Sequence, residues 1–473
     1  MPSELREALT AAGASALIPK IIDPLLLEYM RRFSPLVRAI PMTKWDADTY
    51  FWNQRTQLAT GGFTTDGGAV PVSTSTYVQN SYQIKHLQIV GAVTGYAQQV
   101  TRQVIGDLRQ TEIEGAIQGL LWDIETACVW GNSASTLNGA RPQFDGLDTQ
   151  VSTFSGGVQN AQDKGGNSLT LAMLDELIDM VQINVAMPIL GSSWMFVTSS
   201  TAESKISQLL TNQQRFNDKV EVAPGLMVDS YRNIPIVLSS FLAPRSFSMG
   251  TVTATGGTGT LPGGLSGITG TLANSTFRYV IAPVVARQGE ILPAVEASGT
   301  TGGTSGFVGL GFTVPSGADG ASPILYKVYR TAAGGASGSE TFLGYVDATV
   351  GLAADGVTPV YANAIFDTGT ALIPVVGTAT TATTVPGTLS AYNQYWGTNA
   401  GMFPLAAGQE NIYLMNRDRN YVIRPYVREC LPVDVYPTTS SPDTLPFALV
   451  DDTVLAVRGP KYLGRLARVT TSV

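Results

Sequence analysis

The chain has 473 residues, enough to bury a large core and, by length alone, to form about two to four domains. Charged residues make up 14%, against roughly 25% in an ordinary globular protein, and 29 basic against 36 acidic residues give a net charge of -7. No Lys/Arg-rich run is present, which excludes the electrostatic footprint of a nucleic-acid-binding protein and leaves enclosure as the way such a chain would hold DNA.

The opening Met1-Pro-Ser-Glu-Leu-Arg-Glu lacks the pattern of a signal peptide, and no apolar run approaches the ~18 residues of a membrane span. A short helix is expected at Glu4–Ala12, followed by an apolar arm in which Pro19, Pro24, Pro35 and Pro41 prevent one continuous helix, leaving room for a short one at Leu25–Phe33. Next comes a long hairpin with limbs at Trp45–Leu58 and Tyr77–Thr94 and a glycine-rich tip at Gly61–Gly68. Each limb would extend roughly 45 Å. A ribbon that long is barely stable alone in water and needs a surface to lie on, which points to a neighbouring subunit.

From Gln98 to Trp130 the spacing predicts one long helix with Val100, Val104, Leu108, Ile117, Leu121, Ile124 and Cys128 on its apolar face. From residue 168 the pattern is α/β: a helix at Leu171–Val185, a buried strand at Trp194–Val197, a helix opened by the capping box Ser200-Thr-Ala-Glu203, and strands at Leu226–Val228 and Ile234–Leu238. No charged residue then occurs between Arg245 and Arg278, nor between Asp367 and Glu410. The piece between carries short β patterns at Tyr279–Val285, Gly306–Val314, Ile324–Arg330, Phe342–Val346 and Tyr361–Phe366, the rhythm of a β-sandwich. The α/β pattern resumes near Asn411. Two closing hairpins are expected, Ile412–Met415 with Tyr421–Ile423 and Val454–Val457 with Tyr462–Arg468. Residues 246–405 thus read as an insertion into a domain built from 131–245 and 406–473.

Catalytic and metal chemistry finds little support. His86 is the single histidine and sits in a hairpin limb, with no nucleophile elbow in the chain to complete a triad. Cys128 and Cys430 are too far apart in sequence to form a metal motif with it, and they form no disulfide framework, which fits folding in a reducing cytosol. No phosphate-binding glycine loop is complete. Asp175, Glu176 and Asp179 fall on the polar side of an amphipathic helix, Asp451-Asp452 reads as a strand edge, Arg417-Asp418-Arg419 as a turn, and Cys128 as core. No cofactor or metal is expected. The hairpin aromatics have two readings, ordinary core or interface anchors, and the residues alone leave both open.

The order of parts, together with Ile124-Glu125-Thr126-Ala127-Cys128-Val129-Trp130-Gly131-Asn132 and Asn411-Ile-Tyr-Leu-Met-Asn-Arg-Asp-Arg, resembles tailed-bacteriophage major capsid proteins of the Hong Kong-97-like fold. The resemblance implies an α+β chain with an N-terminal arm (1–44), an E-loop hairpin (45–97), a peripheral domain (98–186) carrying a spine helix (98–131), an axial domain in two parts (187–245 and 387–430) and peripheral return strands (431–473). The remaining piece, 246–386, is an inserted all-β sandwich. It is similar to an immunoglobulin or fibronectin type III module through Tyr279–Glu290, Tyr326-Lys-Val-Tyr-Arg330 and Ile365-Phe-Asp-Thr-Gly369.

What the resemblance implies for function is structural and non-enzymatic: self-assembly, in the host cytoplasm, into hexamers and pentamers of an icosahedral virion shell. Double-stranded DNA is enclosed without sequence-specific binding, and no membrane is involved. A portal, a separate scaffold protein and decoration proteins are the implied partners. Trp45, Tyr50, Phe51, Trp52, Phe63, Asp66, Tyr77 and Tyr82 become candidate inter-subunit contacts. The hairpin tip has no lysine, since Lys44 and Lys85 lie at its base, so no lysine–asparagine crosslink of the kind found in some relatives is expected. The alternatives are an encapsulin-like compartment shell and a cell-surface β-sandwich adhesin.

Overall fold

A computed structural model describes residues 35–66, 68–69, 72–102, 107–133, 143–152, 160–189, 193–212, 219–223, 226–242, 245–265, 267–315, 322–355, 358–384, 403–433, 435 and 443–471. The helices expected at Glu4–Ala12 and Leu25–Phe33 lie outside these residues. Two compact units are present. The larger holds Arg32–Gln88, Gln118–Leu431 and Val450–Val473, and the smaller includes Ile89–Ile117 and Pro432–Leu449.

The larger unit is organised around a seven-stranded sheet in the order Ala161–Asp163, Leu463–Thr470, Gln409–Asn416, Trp194–Thr198, Ile234–Leu238, Leu226–Tyr231 and Lys219–Ala223. Trp194–Thr198 lies at the middle of this order and is buried at every position, as its unbroken apolar run requires. Helix Leu171–Val185 lays Leu174, Leu177, Ile178, Val181 and Val185 on the sheet, packing against Trp194, Phe196, Ile412 and Leu414. Thr170 caps its start by accepting a hydrogen bond from the Met173 amide, and Ala186 ends it in the left-handed conformation. Helix Ser200–Asn212 is capped one residue earlier than its sequence suggests, because the Ala202 amide donates to Ser199 Oγ at 3.2 Å.

The two closing hairpins are not formed. Gln409–Asn416 pairs with Leu463–Thr470, while Val422–Tyr426 pairs with Ala456–Val457, so the four strands are nested. Alternation identifies a strand and its buried face, but it carries no information about which partner the strand will find. A second sheet begins where Met42–Lys44 runs parallel to Val422–Tyr426.

The expected single helix is recorded as two, Gly95–Thr101 and Leu108–Trp130, and residues 103–106 between them are outside the described set. Asp107 starts the second helix, since its carboxylate accepts from the Gln110 amide at 3.2 Å. On this helix Ile124 and Cys128 are buried as expected, whereas Leu120 takes the place assigned to Leu121 and Val100 is exposed on the preceding helix. Within the smaller unit the Gly95 amide donates to Asp443 O at 2.9 Å, and Gly91 passes Phe447 so closely that a Cβ there would sit 2.4 Å from the ring.

Between Arg245 and Thr384 the chain forms two facing sheets. One runs Arg245–Ser248, Gly289–Leu292, Thr276–Val285, Pro323–Arg330, Thr341–Asp347, and the other Val252–Thr258, Gly306–Phe312, Ala364–Asp367, Leu372–Thr378, Thr381–Thr384. Tyr279, Ile281, Tyr326 and Val328 from the first share a core with Val252, Val308, Leu310 and Ile365 from the second. The glycine content has a packing reason here. A Cβ on Gly256 would lie 1.8 Å from Thr300 O, and one on Gly309 would lie 1.9 Å from Ala379 O. The strand expected at Tyr361–Phe366 is two, Pro359–Tyr361 paired with Thr349–Leu352, and Ala364–Asp367 in the second sheet.

Candidate assembly surface

The hairpin ribbon pairs Thr49–Gln57 with Thr76–Gln83 in antiparallel register, from Thr49 opposite Gln83 to Gln57 opposite Thr76. It is shorter than the limbs expected from sequence. The second limb turns away at Ile84, a buried residue whose amide donates to Asp48 O at 2.9 Å, and Lys85–Thr94 continues as a separate strand paired with Thr444–Thr453. Among the described residues the ribbon pairs with no third strand, so both outer edges keep free backbone groups.

The eight candidate contact residues separate into two groups. Trp45, Tyr50, Trp52 and Tyr82 form a continuous aromatic stack at the ribbon base. Trp45 meets Tyr50 edge-on at 4.9 Å, Tyr50 stacks on Trp52 at 6.2 Å, and Trp52 stacks on Tyr82 at 4.9 Å. This stack packs on Ile423 and Ala456 of the same chain, Tyr82 Oη donates to Val457 O at 2.9 Å, and Arg458 lies over the Tyr50 ring. Burial pushes the Tyr82 hydroxyl well above the ordinary tyrosine range. Phe51, Phe63, Asp66 and Tyr77 are exposed instead, with Phe51 at 50%, Tyr77 at 65% and Phe63 fully open to solvent. Period-two alternation places Tyr50, Trp52 and Tyr82 on one ribbon face and Phe51 on the other, but sequence alone does not say which face meets the chain's own body. At the base, Lys44 lies 3.6 Å from Asp46, and Lys85 donates to Gln83 Oε1 at 2.8 Å.

The polar groups weighed for chemistry have structural partners. His86 Nδ1 lies 2.7 Å from Asp452 Oδ1, and Arg428 holds the other oxygen of that carboxylate. Asp451 and Asp452 do not lie at an exposed strand edge, because both are buried. Burial pushes the Asp451 carboxyl up to about 6 despite nearby Arg424, with the Cys430 amide donating to it at 3.2 Å. Asp175 accepts from Tyr231 Oη at 2.7 Å and pairs with Arg232, while Glu176 pairs with Lys164. Cys128 is fully buried, and desolvation pushes its thiol to about 12, which leaves no thiolate for nucleophilic attack. Among the described residues no group of three His, Cys, Asp or Glu side chains could hold a metal ion.

One cluster escapes a reading of the sequence. Asp148 receives Lys327 at 2.9 Å, Arg465 at 3.1 Å, Tyr345 Oη at 2.6 Å and Tyr413 Oη at 2.8 Å. Lys327 also bonds Glu290 at 2.9 Å and sits 4.2 Å over the Trp130 ring. Burial opposes ionisation of Asp148, but Lys327 and Arg465 overcome it and hold the carboxyl well below the usual range; Glu290 is pushed up by its own burial. The signal was a lysine inside an apolar strand pattern, Leu325-Tyr326-Lys327-Val328-Tyr329, although nothing nearby in sequence names its partners.

The features described so far are an aromatic-faced ribbon and a buried ionic cluster. Residues 36–251 match a sequence family described as SU10 major capsid protein. The match covers a little under half of the chain. The chain's architecture is mixed α+β, with a ribbon, a long helix, an α/β domain and returning strands.

No protein of curated function matches this chain in sequence. Among solved structures it is similar to the subunit of the cyanophage A-1(L) capsid, with 13% identity over 98% of this chain and 100% of that one and a TM-score of 0.47. It is also similar to the capsid of Myoviridae phage XM1, with 9% identity over 96% and 98% of the two chains and a TM-score of 0.46. The SrpI encapsulin of Synechococcus elongatus shares 12% identity over 98% of each chain, with a TM-score of 0.40. The likeness to a capsid family rests on the sequence match to residues 36–251.

Proposed function

We propose that the chain is the building block of a tailed-phage head, assembling into hexamers and pentamers of a closed icosahedral shell around packaged double-stranded DNA, and that it catalyses no reaction. The observation that carries this reading is the ribbon. It buries one aromatic face on its own subunit and leaves Phe51, Phe63 and Tyr77 exposed on a two-stranded element with free edges. A two-stranded ribbon is marginal in water and gains stability from a third surface, which a neighbouring subunit supplies. In the vocabulary of the capsid fold, 45–97 is the E-loop, 98–131 the spine of a peripheral domain that spans 98–186 and returns at 431–473, and 187–245 with 387–430 the axial domain interrupted by the β insertion. Portal, scaffold and decoration proteins are the remaining partners of such a head, and the DNA is held by enclosure, as the net charge of -7 favours.

The test is the content of purified particles after nuclease treatment. Protected double-stranded DNA of genome length supports a phage head. Particles filled with a protein cargo and free of nucleic acid would make this an encapsulin-like shell instead.

A further inference from the structure

The inserted β segment begins and ends in charge-free, glycine-rich sequence, the composition of a module hung on loops. Its inner end is built otherwise. Lys327 and Glu290 come from the insertion, Asp148 and Arg465 from the surrounding α/β part, and none of these four side chains is more than 2% exposed. Each part supplies one cation and one carboxylate, and the two pairs are joined because Lys327 of the insertion bonds Asp148 as well as Glu290, both at 2.9 Å. Tyr345 of the insertion and Tyr413 of the α/β sheet complete the shell of donors around Asp148.

The turn between Thr276–Val285 and Gly289–Leu292 adds a second fastening. Arg287 grips Asp123 of the long helix through both carboxylate oxygens, at 3.0 and 3.1 Å. Gly289 has φ +78, and a Cβ there would lie 2.2 Å from Phe241 O and 2.8 Å from Trp130 Nε1. Trp130 in turn donates to Phe241 O at 2.6 Å. The turn is therefore pressed against the helix end at a spacing that no larger residue permits.

We propose that the inserted segment is an internal clamp: it locks the end of the long helix and the short helix Leu147–Ser152 into the α/β part, so the two parts are stable only together. The clamp works within one chain and is independent of shell assembly, so measurements on the unassembled subunit read it directly. Removing one member of a buried charge network leaves the others uncompensated, which is how loss of an insertion side chain reaches the α/β part.

Hydrogen–deuterium exchange of the full chain tests this. In Lys327→Met, amides of residues 119–130 and 147–152 should exchange at least ~10-fold faster than in the parent chain, although the substitution lies in the insertion. Acceleration confined to 245–384 would overturn the proposal and make the segment a pendant module. If Lys327→Met does not fold, Arg287→Gln decides. Its side chain is partly exposed, so residues 119–130 should speed up by only about 2- to 5-fold, and adding Asp123→Asn should give no further change. Unchanged exchange there, or additive effects of the two substitutions, would contradict the clamp.

Discussion

Asp148 and Asp451 are both buried, yet their surroundings drive them in opposite directions. At Asp148, Lys327 and Arg465 outweigh the penalty of burial, so this carboxylate adds stability that is complete above its unfolded pKa of about 4 and is lost as pH falls below that. At Asp451 burial wins, and the folded chain keeps the proton up to about pH 6. The unfolded chain releases the same proton near pH 4, so the folded state binds more protons between roughly 4 and 6 and loses stability as pH rises through that window. Asp451→Asn retains an acceptor for the Cys430 amide and removes the penalty. Urea unfolding should show the variant more stable than the parent by about 1–3 kcal/mol at pH 7.5, with the difference shrinking toward pH 4.5. A variant less stable at both values would mean that the charge on Asp451, held by Arg424, is a net contributor.

At the scale of elements, the ribbon separates folding from assembly. Tyr50 is buried between Trp45 and Trp52, so Tyr50→Ala should destabilise the unassembled subunit by about 3–5 kcal/mol, measured as a shift in denaturant midpoint. Phe63 and Tyr77 are exposed, and Phe63→Ala with Tyr77→Ala should leave that midpoint within about 0.5 kcal/mol while lowering the yield or stability of shells. Normal shells from the double variant would remove the exposed aromatics from the assembly contact. Much of the α/β part is readable from residue pattern: Leu171–Val185 and five of its six buried positions, Trp194–Thr198 and Ile234–Leu238 all follow from local periodicity. What is not readable is pairing. The nested strands Gln409–Asn416 with Leu463–Thr470, the departure of Lys85–Thr94 from the ribbon, and the meeting of Asp148 with Lys327 all join residues far apart in sequence. The break at Asp107 is also local, yet hidden, since an aspartate fits a solvated helix face as well as an N-cap.

At the scale of the whole molecule, stability of a shell comes from repetition: many modest contacts per subunit act together once geometry lets them engage at the same time. The low charge content fits surfaces that are covered by copies of the same chain, and the ribbon is an element with free edges to offer. The most direct test is electron cryomicroscopy of the assembled protein. The account predicts closed icosahedral shells of hexamers and pentamers in which the ribbon Thr49–Gln57/Thr76–Gln83 lies on an adjacent subunit with Phe63 and Tyr77 covered. Monomers at every concentration, or shells whose ribbons stand free in solvent, would contradict it.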